Sequence, residues 1–190
     1  MNRKTPLLKN VLPGVGLLIA LLLAMFSAQA AETATSLQQD WDFVNFTEKD
    51  NKQKLQKLEE LVERARSAAE REPGNAEILV WKGVILSTYA GEKGGLGALS
   101  LVKEAKAAFE QALLIDDAVL NGAAHTSLGS LYYQVPGWPL SFGDDSKAEK
   151  HLQAGLKIAP QNIDALYFYG DFLARNNRLD EAKSYMKKAM

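Results

Sequence analysis

The sequence contains no cysteine, and only two of its 190 residues are histidine. Without cysteine the chain can form no disulfide bond, no thiolate metal site and no lipid anchor on a cysteine. Its stability must therefore come from a buried core, and a single domain of this length is large enough to form one. The sequence also lacks any segment in which apolar and polar residues alternate, so it predicts no β-sheet.

The first thirty residues have the composition of a secretory signal peptide. Three basic residues lie within the first nine positions, residues 15–26 form an apolar run, and Ala28 and Ala30 are small residues. This order predicts a signal peptide over residues 1–30, cleaved between Ala30 and Ala31, and export to the periplasm. A retained membrane anchor is the alternative, which the shortness of the apolar run disfavours.

Cleavage would leave an acidic protein, because residues 1–30 contain three basic residues and no acidic one. The predicted mature chain has 19 lysines and arginines against 23 aspartates and glutamates, a net charge of −4. An acidic chain of this kind is not expected to bind nucleic acid or an anionic membrane surface. We therefore expect a soluble protein that has no stable membrane anchor after cleavage.

The mature chain contains three related helix-turn-helix units. Gly83, Gly129 and Gly170 occupy the same position in successive units, and a small residue, such as Ala182 in the last unit, follows on each second helix. Small residues at these positions allow two antiparallel helices to approach closely. The pattern resembles the tetratricopeptide repeat, and this resemblance implies an all-α, right-handed solenoid of helix pairs.

The repeat pattern also predicts how the chain is divided. The predicted parts are a lead-in over residues 31–47 and a repeat domain over residues 48–190, which consists of a leading helix, 48–72, and repeats 76–117, 118–160 and 161–190. The lead-in is polar and ends in the aromatic residues Trp41, Phe43 and Phe46. We expect it to fold back over the leading helix and shield its apolar face; a mobile, partner-seeking arm is the alternative.

Two of the repeats contain extra residues between their helices, at the same edge of the solenoid. The first insertion, around residues 89–97, contains four glycines and predicts a flexible loop. A phosphate-binding loop is disfavoured, because such a loop follows a strand and no strand is predicted here. The second insertion, residues 134–143, predicts a stiff loop that presents Trp138 and Phe142 to a partner. The alternative is that this loop folds down and fills a gap between helix pairs.

No constellation of residues points to catalysis. His125 and His151 lie in different helices of the second repeat, and no set of carboxylates converges on them in the sequence. The pair Asp144 and Asp145 follows Gly143, where an aspartate serves as a helix cap and needs no cation. We therefore predict no catalytic residue, no metal, no cofactor and no enzymatic activity.

Recognition of a partner is the function that the pattern favours. In stacked helix pairs the first helices line the concave face, and aromatic residues beside hydrogen-bonding groups are typical of a binding groove. The residues predicted to face the groove are Val80, Val84, Ser87, Thr126, Ser130, Tyr133, Tyr167, Asp171 and Arg175. The alternative for the tyrosines is that they pack against the lead-in.

A closer resemblance is carried by three short segments: the run LGSLYYQVPGWP at 128–139, then FGDD at 142–145, and Tyr169 with Gly170. These segments are similar to the periplasmic T component associated with TRAP transporters. The resemblance implies a protein partner in the cell envelope, such as a periplasmic substrate-binding protein, and a link to solute transport. A homo-oligomer is left open. The alternative function is a carrier, in which the inserted loops close over a hydrophobic pocket and hand a small hydrophobic ligand to a transporter.

Overall fold

The computed structural model describes residues 32–190, so the predicted signal peptide lies outside the described residues. These residues form eight helices. The helices are α1 (Ala34–Thr47), α2 (Asn51–Arg71), α3 (Ala76–Lys93), α4 (Gly95–Ile115), α5 (Val119–Gln134), α6 (Asp145–Ile158), α7 (Ile163–Arg175) and α8 (Leu179–Ala189). Within residues 32–190 there is no strand, and the prediction of an all-α helical repeat is confirmed.

The helices pack as antiparallel pairs, α3 with α4, α5 with α6 and α7 with α8. The glycines of the repeat pattern lie where the members of each pair meet. A Cβ atom added to Gly83 would lie 2.5 Å from the Phe109 ring, and one added to Gly129 would lie 2.7 Å from Leu152 Cγ. At Gly170 the nearest atom, Cγ of Met186, would be 3.1 Å away. The predicted close approach of each helix pair is confirmed.

Side-chain caps fix where five of the helices begin, and in α1 the Thr33 hydroxyl accepts from the Ser36 N–H at 3.1 Å. Asp50, Asn75, Asp144 and Asn162 each accept a hydrogen bond from the backbone N–H three residues later, at 2.8 to 3.2 Å. An oxygen at this position satisfies an amide that has no partner inside the helix, which is worth about 1 kcal/mol per cap. The cap predicted at Asp144 is confirmed, whereas α2 begins at Asn51, three residues after its predicted start.

The glycine-rich segment at residues 89–97 is helical, so the prediction of a flexible loop was wrong. Helix α3 continues to Lys93, α4 begins at Gly95, and Gly94 alone separates them. Tyr89 on α3 and Leu101 on α4 are both buried. Burial of such side chains outweighs the cost of about 1 kcal/mol that each glycine adds to a helix. The first repeat is therefore a long helix pair rather than a short pair with a loop.

Gly94 makes the sharp turn at the end of this pair, with φ of 61° and ψ of −172°. Only glycine adopts this conformation readily. Replacing Gly94 by alanine is expected to lower the free energy of unfolding by about 1 to 2 kcal/mol. Gly91→Ala is the control, because its site is helical with open space at Cβ, and it should raise stability by about 0.5 to 1 kcal/mol. Urea unfolding measures both, and equal stability of the two variants would contradict the strained turn.

The lead-in forms helix α1, which packs against α2 and α3. Leu37 and Val44 on one face of α1 are buried, and Trp41 between them is partly buried. Arg64 on α2 donates hydrogen bonds to Glu32 and to Asp40, at 2.7 and 2.6 Å. The segment thus covers the apolar face of the leading helix as expected, and it does so as a helix.

Ion pairs and hydrogen bonds also connect successive helix pairs. Glu104 on α4 accepts from Arg66 on α2 at 2.6 Å and lies 3.1 Å from the Lys82 ammonium on α3. The pKa of Glu104 is lowered, chiefly by the hydrogen bond from Arg66. At the other end, Arg178, which immediately precedes α8, donates to Glu149 on α6 at 2.5 Å. None of the helices in the described part of the chain is long and apolar enough to cross a bilayer.

Candidate binding groove

A groove with a volume of about 840 Å³ runs along the first helices of the repeats. Its lining comes from α1, α3, α4, α5 and the first half of α7. The larger apolar side chains of the lining include Trp41, Trp81, Val84, Leu120, Leu131 and Phe168. Volume and lining are those of a site for an apolar ligand or an apolar peptide segment.

Helix α1 supplies one wall of the groove. The indole N–H of Trp41 donates a hydrogen bond of 2.9 Å to the Thr88 hydroxyl on α3. Its ring lies 5.7 Å from that of Trp81, and the edge of Phe46 packs against it. The prediction of groove residues missed this wall. The signal for it was the spacing of Leu37, Trp41 and Val44, which places the three on one helical face.

The groove contains almost no charge. Among the described residues that line it, Asp164 in the first turn of α7 alone carries a charge. The polar groups are hydroxyls and amides, and some are already used: Ser87 donates to the Gly83 carbonyl at 2.7 Å. A charged ligand group would lose its hydration here without gaining an opposite charge, which is costly. The lining therefore favours an uncharged, apolar occupant.

The structure brings together five of the nine predicted groove residues. Val80, Val84, Ser87, Thr126 and Ser130 all line the groove. Val80 and Thr126 are only 1% and 5% exposed, so they form its floor and offer little surface to a partner. Their burial follows from the close packing of α3 and α5 against their neighbours.

Three other predicted residues form a separate polar cluster. The Tyr133 hydroxyl donates to Asp171 at 2.8 Å, and Arg175 donates to the same carboxylate at 3.1 Å. The Arg175 guanidinium also lies 5.1 Å from the centre of the Tyr133 ring. Burial, together with the Asp171 carboxylate, raises the pKa of Tyr133 above its usual value. Tyr167 lies outside both groups, half exposed, with its ring against Phe168.

The second insertion is a folded loop that presents Trp138. Backbone hydrogen bonds hold its base, from Gly143 to the Pro136 carbonyl at 3.0 Å and from Asp144 to the Tyr132 carbonyl at 2.8 Å. Trp138 is 90% exposed, as expected for a residue that meets a partner.

Phe142 is only partly exposed, and its role as a loop contact stays a prediction. Its ring packs edge-on against Tyr132 at 5.7 Å, and the Lys106 ammonium lies 5.8 Å from its centre. These contacts anchor the loop to α4 and α5. Leu140, which the sequence analysis did not single out, is 66% exposed and lies two residues from Trp138.

Residues 32–190 contain no group of three or more histidine, aspartate or glutamate side chains that could hold a metal ion. The absence of a cofactor, a metal and an enzymatic activity stays a prediction. What the groove can do chemically is bury apolar surface and accept or donate a few neutral hydrogen bonds.

Comparison with known proteins finds a repeat-family match in the last part of the chain. No curated protein matches the chain. Two crystal structures of MamA are similar to it, both with a TM-score of 0.38. One is 18% identical and covers 74% of this chain and 91% of the MamA chain; the other is 16% identical and covers 83% and 91%. A family model described as tetratricopeptide repeat matches residues 140–190, the part of the chain that contains α6, α7 and α8.

Proposed function

We propose that the chain is a protein-interaction scaffold whose groove binds an uncharged, apolar segment of a partner protein. The observation that supports the proposal is the groove itself. Its walls are mainly aromatic and aliphatic side chains, and Asp164 is the one charged residue among the described residues that line it. Tetratricopeptide-type helix pairs bind other proteins in general, which agrees with the repeat sequence at residues 140–190.

The chemistry of the lining defines the segment that fits. Burying apolar side chains contributes about 25 cal/mol for each Å² removed from water, whereas an unpaired charge in the same place is penalised. Ser127 and Ser130 on α5 and Gln134 at its end provide hydroxyl and amide groups along one side. A peptide backbone needs such neutral partners for its own N–H and C=O groups.

Trp138 provides a second contact area outside the groove. A tryptophan on a stiff loop offers a large apolar surface and loses little conformational freedom on binding, which is typical of residues that dominate interface energies. Leu140 beside it extends the same exposed surface. We infer that a partner places one segment in the groove and contacts the Trp138 loop with its folded part.

The cell envelope is the proposed place of this interaction. The signal peptide expected over residues 1–30 supports export, and the resemblance of residues 128–145 to the T component of TRAP transporters supports a partner linked to solute transport. A periplasmic substrate-binding protein is the partner class that this resemblance suggests. Self-association into a homo-oligomer is compatible with the same proposal.

The groove is tested with a Trp138→Phe variant, in which Trp41 and Trp81 report on binding by their fluorescence. The probe is a twelve-residue peptide of leucine, valine, phenylalanine and serine with blocked ends, compared with a copy in which two serines are glutamate. We expect the neutral peptide to bind with a micromolar Kd and the acidic copy at least tenfold more weakly. Equal affinity of the two peptides would contradict the proposed groove chemistry.

A charge placed in the groove should abolish this binding. Val84→Glu is expected to weaken the neutral peptide at least tenfold, because the new carboxylate must be desolvated when the peptide enters. Ser67→Glu, on an exposed face of α2 outside the groove, adds the same charge and should leave the affinity unchanged. Circular dichroism checks that both variants remain helical. Unchanged binding by Val84→Glu would place the peptide elsewhere.

A carrier for a small hydrophobic ligand is the second candidate, and the groove volume favours it. About 840 Å³ lies within the range of 300 to 1,000 Å³ that is typical of small-molecule sites. Mass spectrometry of the native purified protein distinguishes the two. A bound small molecule that Val84→Glu removes would favour the carrier, and its absence together with peptide binding would favour the scaffold.

A further inference from the structure

The chain's only two histidines, His125 on α5 and His151 on α6, meet between the two helices of the second repeat. Their Nδ1 atoms lie 2.9 Å apart, and Nε2 of His125 lies 3.0 Å from the Asp117 carboxylate. The His151 ring stacks on Tyr132 with centres 5.7 Å apart. The sequence analysis could place these histidines only on separate helices; the structure joins them into one hydrogen-bonded chain.

The Asp117 contact decides how protons are distributed in this chain. A carboxylate accepts, so Nε2 of neutral His125 carries the proton and its Nδ1 is a bare acceptor. His151 then donates its Nδ1–H to that acceptor. One added proton can be accommodated on His125, between Asp117 and His151, if His151 moves its own proton to Nε2. A second proton would place two imidazolium groups in contact at 2.9 Å, which is strongly unfavourable.

The surroundings of the pair oppose the second proton. Helix α6 contributes Lys150, and α4 contributes Lys106, whose ammonium lies 6.0 Å from the Tyr132 ring on which His151 stacks. Glu110 on α4 and Asp117 act in the opposite sense. Lys147 on α6 lies near the same stack, 5.6 Å from the centre of the Tyr132 ring.

Burial has the largest effect on the pKa of His151 and lowers it, and the charges of His125 and Lys150 lower it further. Together they lower the pKa of His151 to about 4, despite the nearby carboxylates. In an unfolded chain both histidines would take up protons at about pH 6.5.

The histidine pair is mechanically connected to the groove. The residue after His125 is Thr126, which lines the groove and whose hydroxyl would lie 2.6 Å from a Cβ atom added to Gly155 on α6. Asp117 lies just before Leu120 and Asn121, which have left-handed backbone conformations and line the end of the groove. Separation of α5 from α6 at the histidines would therefore displace groove-lining residues.

We propose that Asp117, His125 and His151 form a proton-operated latch that keeps α5 and α6 together at neutral pH and releases them, and with them the groove, when the second histidine is protonated. An exported protein experiences the pH outside the cytoplasm, so such a latch would release a partner in acid. This goes beyond the proposed scaffold function, and the tests below use no ligand, so the failure of either proposal can be recognised separately.

The latch predicts the direction of the pH dependence. Between about pH 6.5 and pH 4, His151 holds fewer protons in the folded protein than in the unfolded chain, so the folded state loses stability as the pH falls through this window. Relative to His151→Asn, which lacks the group with the lowered pKa, the unfolding equilibrium constant of the native sequence should rise at least tenfold more between pH 7 and pH 4.5. Carboxylates titrate there too, but they are common to all the proteins compared.

Two variants remove one titrating group each, and each retains one of the neutral hydrogen bonds. His151→Asn retains an N–H near the position of Nδ1, and His125→Gln retains an N–H that can reach Asp117. Nitrogen NMR of the imidazoles follows the remaining group directly. We expect His151 to titrate near 4 in the native sequence and clearly higher in His125→Gln. Independent titration of both histidines near 6.5 in the native sequence would overturn the latch.

The connection to the groove is tested in the Trp138→Phe background, where the fluorescence of Trp41 and Trp81 reports on the groove. We expect their emission to change between pH 6.5 and pH 4 in this protein and to stay constant when His151→Asn is added. A change that persists with His151→Asn would assign it to carboxylates and overturn the release of the groove. A shifted histidine titration with constant emission would likewise show that the pair does not control the groove.

Discussion

A valine at position 129 is expected to lower the free energy of unfolding by about 3 kcal/mol, because it overpacks the contact between α5 and α6. Gly129 is buried between these helices, and a Cβ atom there would lie 2.7 Å from Leu152 Cγ and 3.0 Å from its backbone nitrogen. The Ala148 carbonyl oxygen, at 3.1 Å, blocks the other side. Because two of these atoms belong to the backbone, the helices must separate to admit the side chain.

Thermal unfolding measures this effect, and Gly91→Val is its matched control. Gly91 lies in helix α3, where nothing approaches an added Cβ within 4 Å. A loss of about 3 kcal/mol corresponds to a fall in Tm of about 6 to 12 °C for a protein of this size, and the control should change little. If Gly129→Val unfolds no earlier than Gly91→Val, the two helices of this repeat do not pack as described. A separate early transition would show that the second repeat unfolds before its neighbours.

The repeat frame was predictable because it follows from a local rule. Gly83, Gly129 and Gly170 lie at equivalent positions, and each faces a large residue of its partner helix, Phe109, Leu152 or Met186. Small residues opposite large ones at fixed spacing need no knowledge of distant contacts. The same rule predicted which helices line the groove, and five of the nine residues chosen on that basis do line it.

What could not be predicted depends on contacts between distant parts of the chain. The glycines from 91 to 97 are typical of a loop when only their neighbours in sequence are considered. Burial of Tyr89 and Leu101 nevertheless favours two helices that meet at Gly94 and Gly95, both of which have positive φ. Trp41 becomes a groove wall only because it meets Thr88, forty-seven residues away. The histidine pair likewise joins residues twenty-six positions apart, on helices whose relative rotation no spacing rule gives.

The predicted tyrosines illustrate a further limit of position rules. Tyr133 was expected to face a partner, but its hydroxyl is bound by Asp171 and its ring is covered by Arg175 and Phe172. The repeat positions predict which face of α5 carries Tyr133. Whether that face is accessible to a partner depends on the residues of the next repeat that pack against it. Ser130, almost one turn earlier on the same helix, lines the groove as predicted.

The second large effect is expected at Phe109, which is completely buried and forms the floor of the groove against Gly83. Phe109→Ala should lower the free energy of unfolding by about 3 to 5 kcal/mol, because it leaves a cavity beneath α3. Gly83→Ala alone should also destabilise, by about 1 to 3 kcal/mol, because its new Cβ would lie 2.5 Å from the ring.

In the Phe109→Ala protein, Gly83→Ala should raise the free energy of unfolding instead of lowering it. With the ring of Phe109 removed, a Cβ atom at position 83 has room, and alanine then favours the helix by about 1 kcal/mol over glycine. Urea unfolding of the native protein, both single variants and the double variant completes this cycle. If Gly83→Ala destabilises the Phe109→Ala protein as much as the native one, the glycine is required for a reason other than this contact, and the repeat alignment that pairs the two positions would be wrong. A reversed sign would establish that contact, and with it the register of α3 on α4 that shapes the groove.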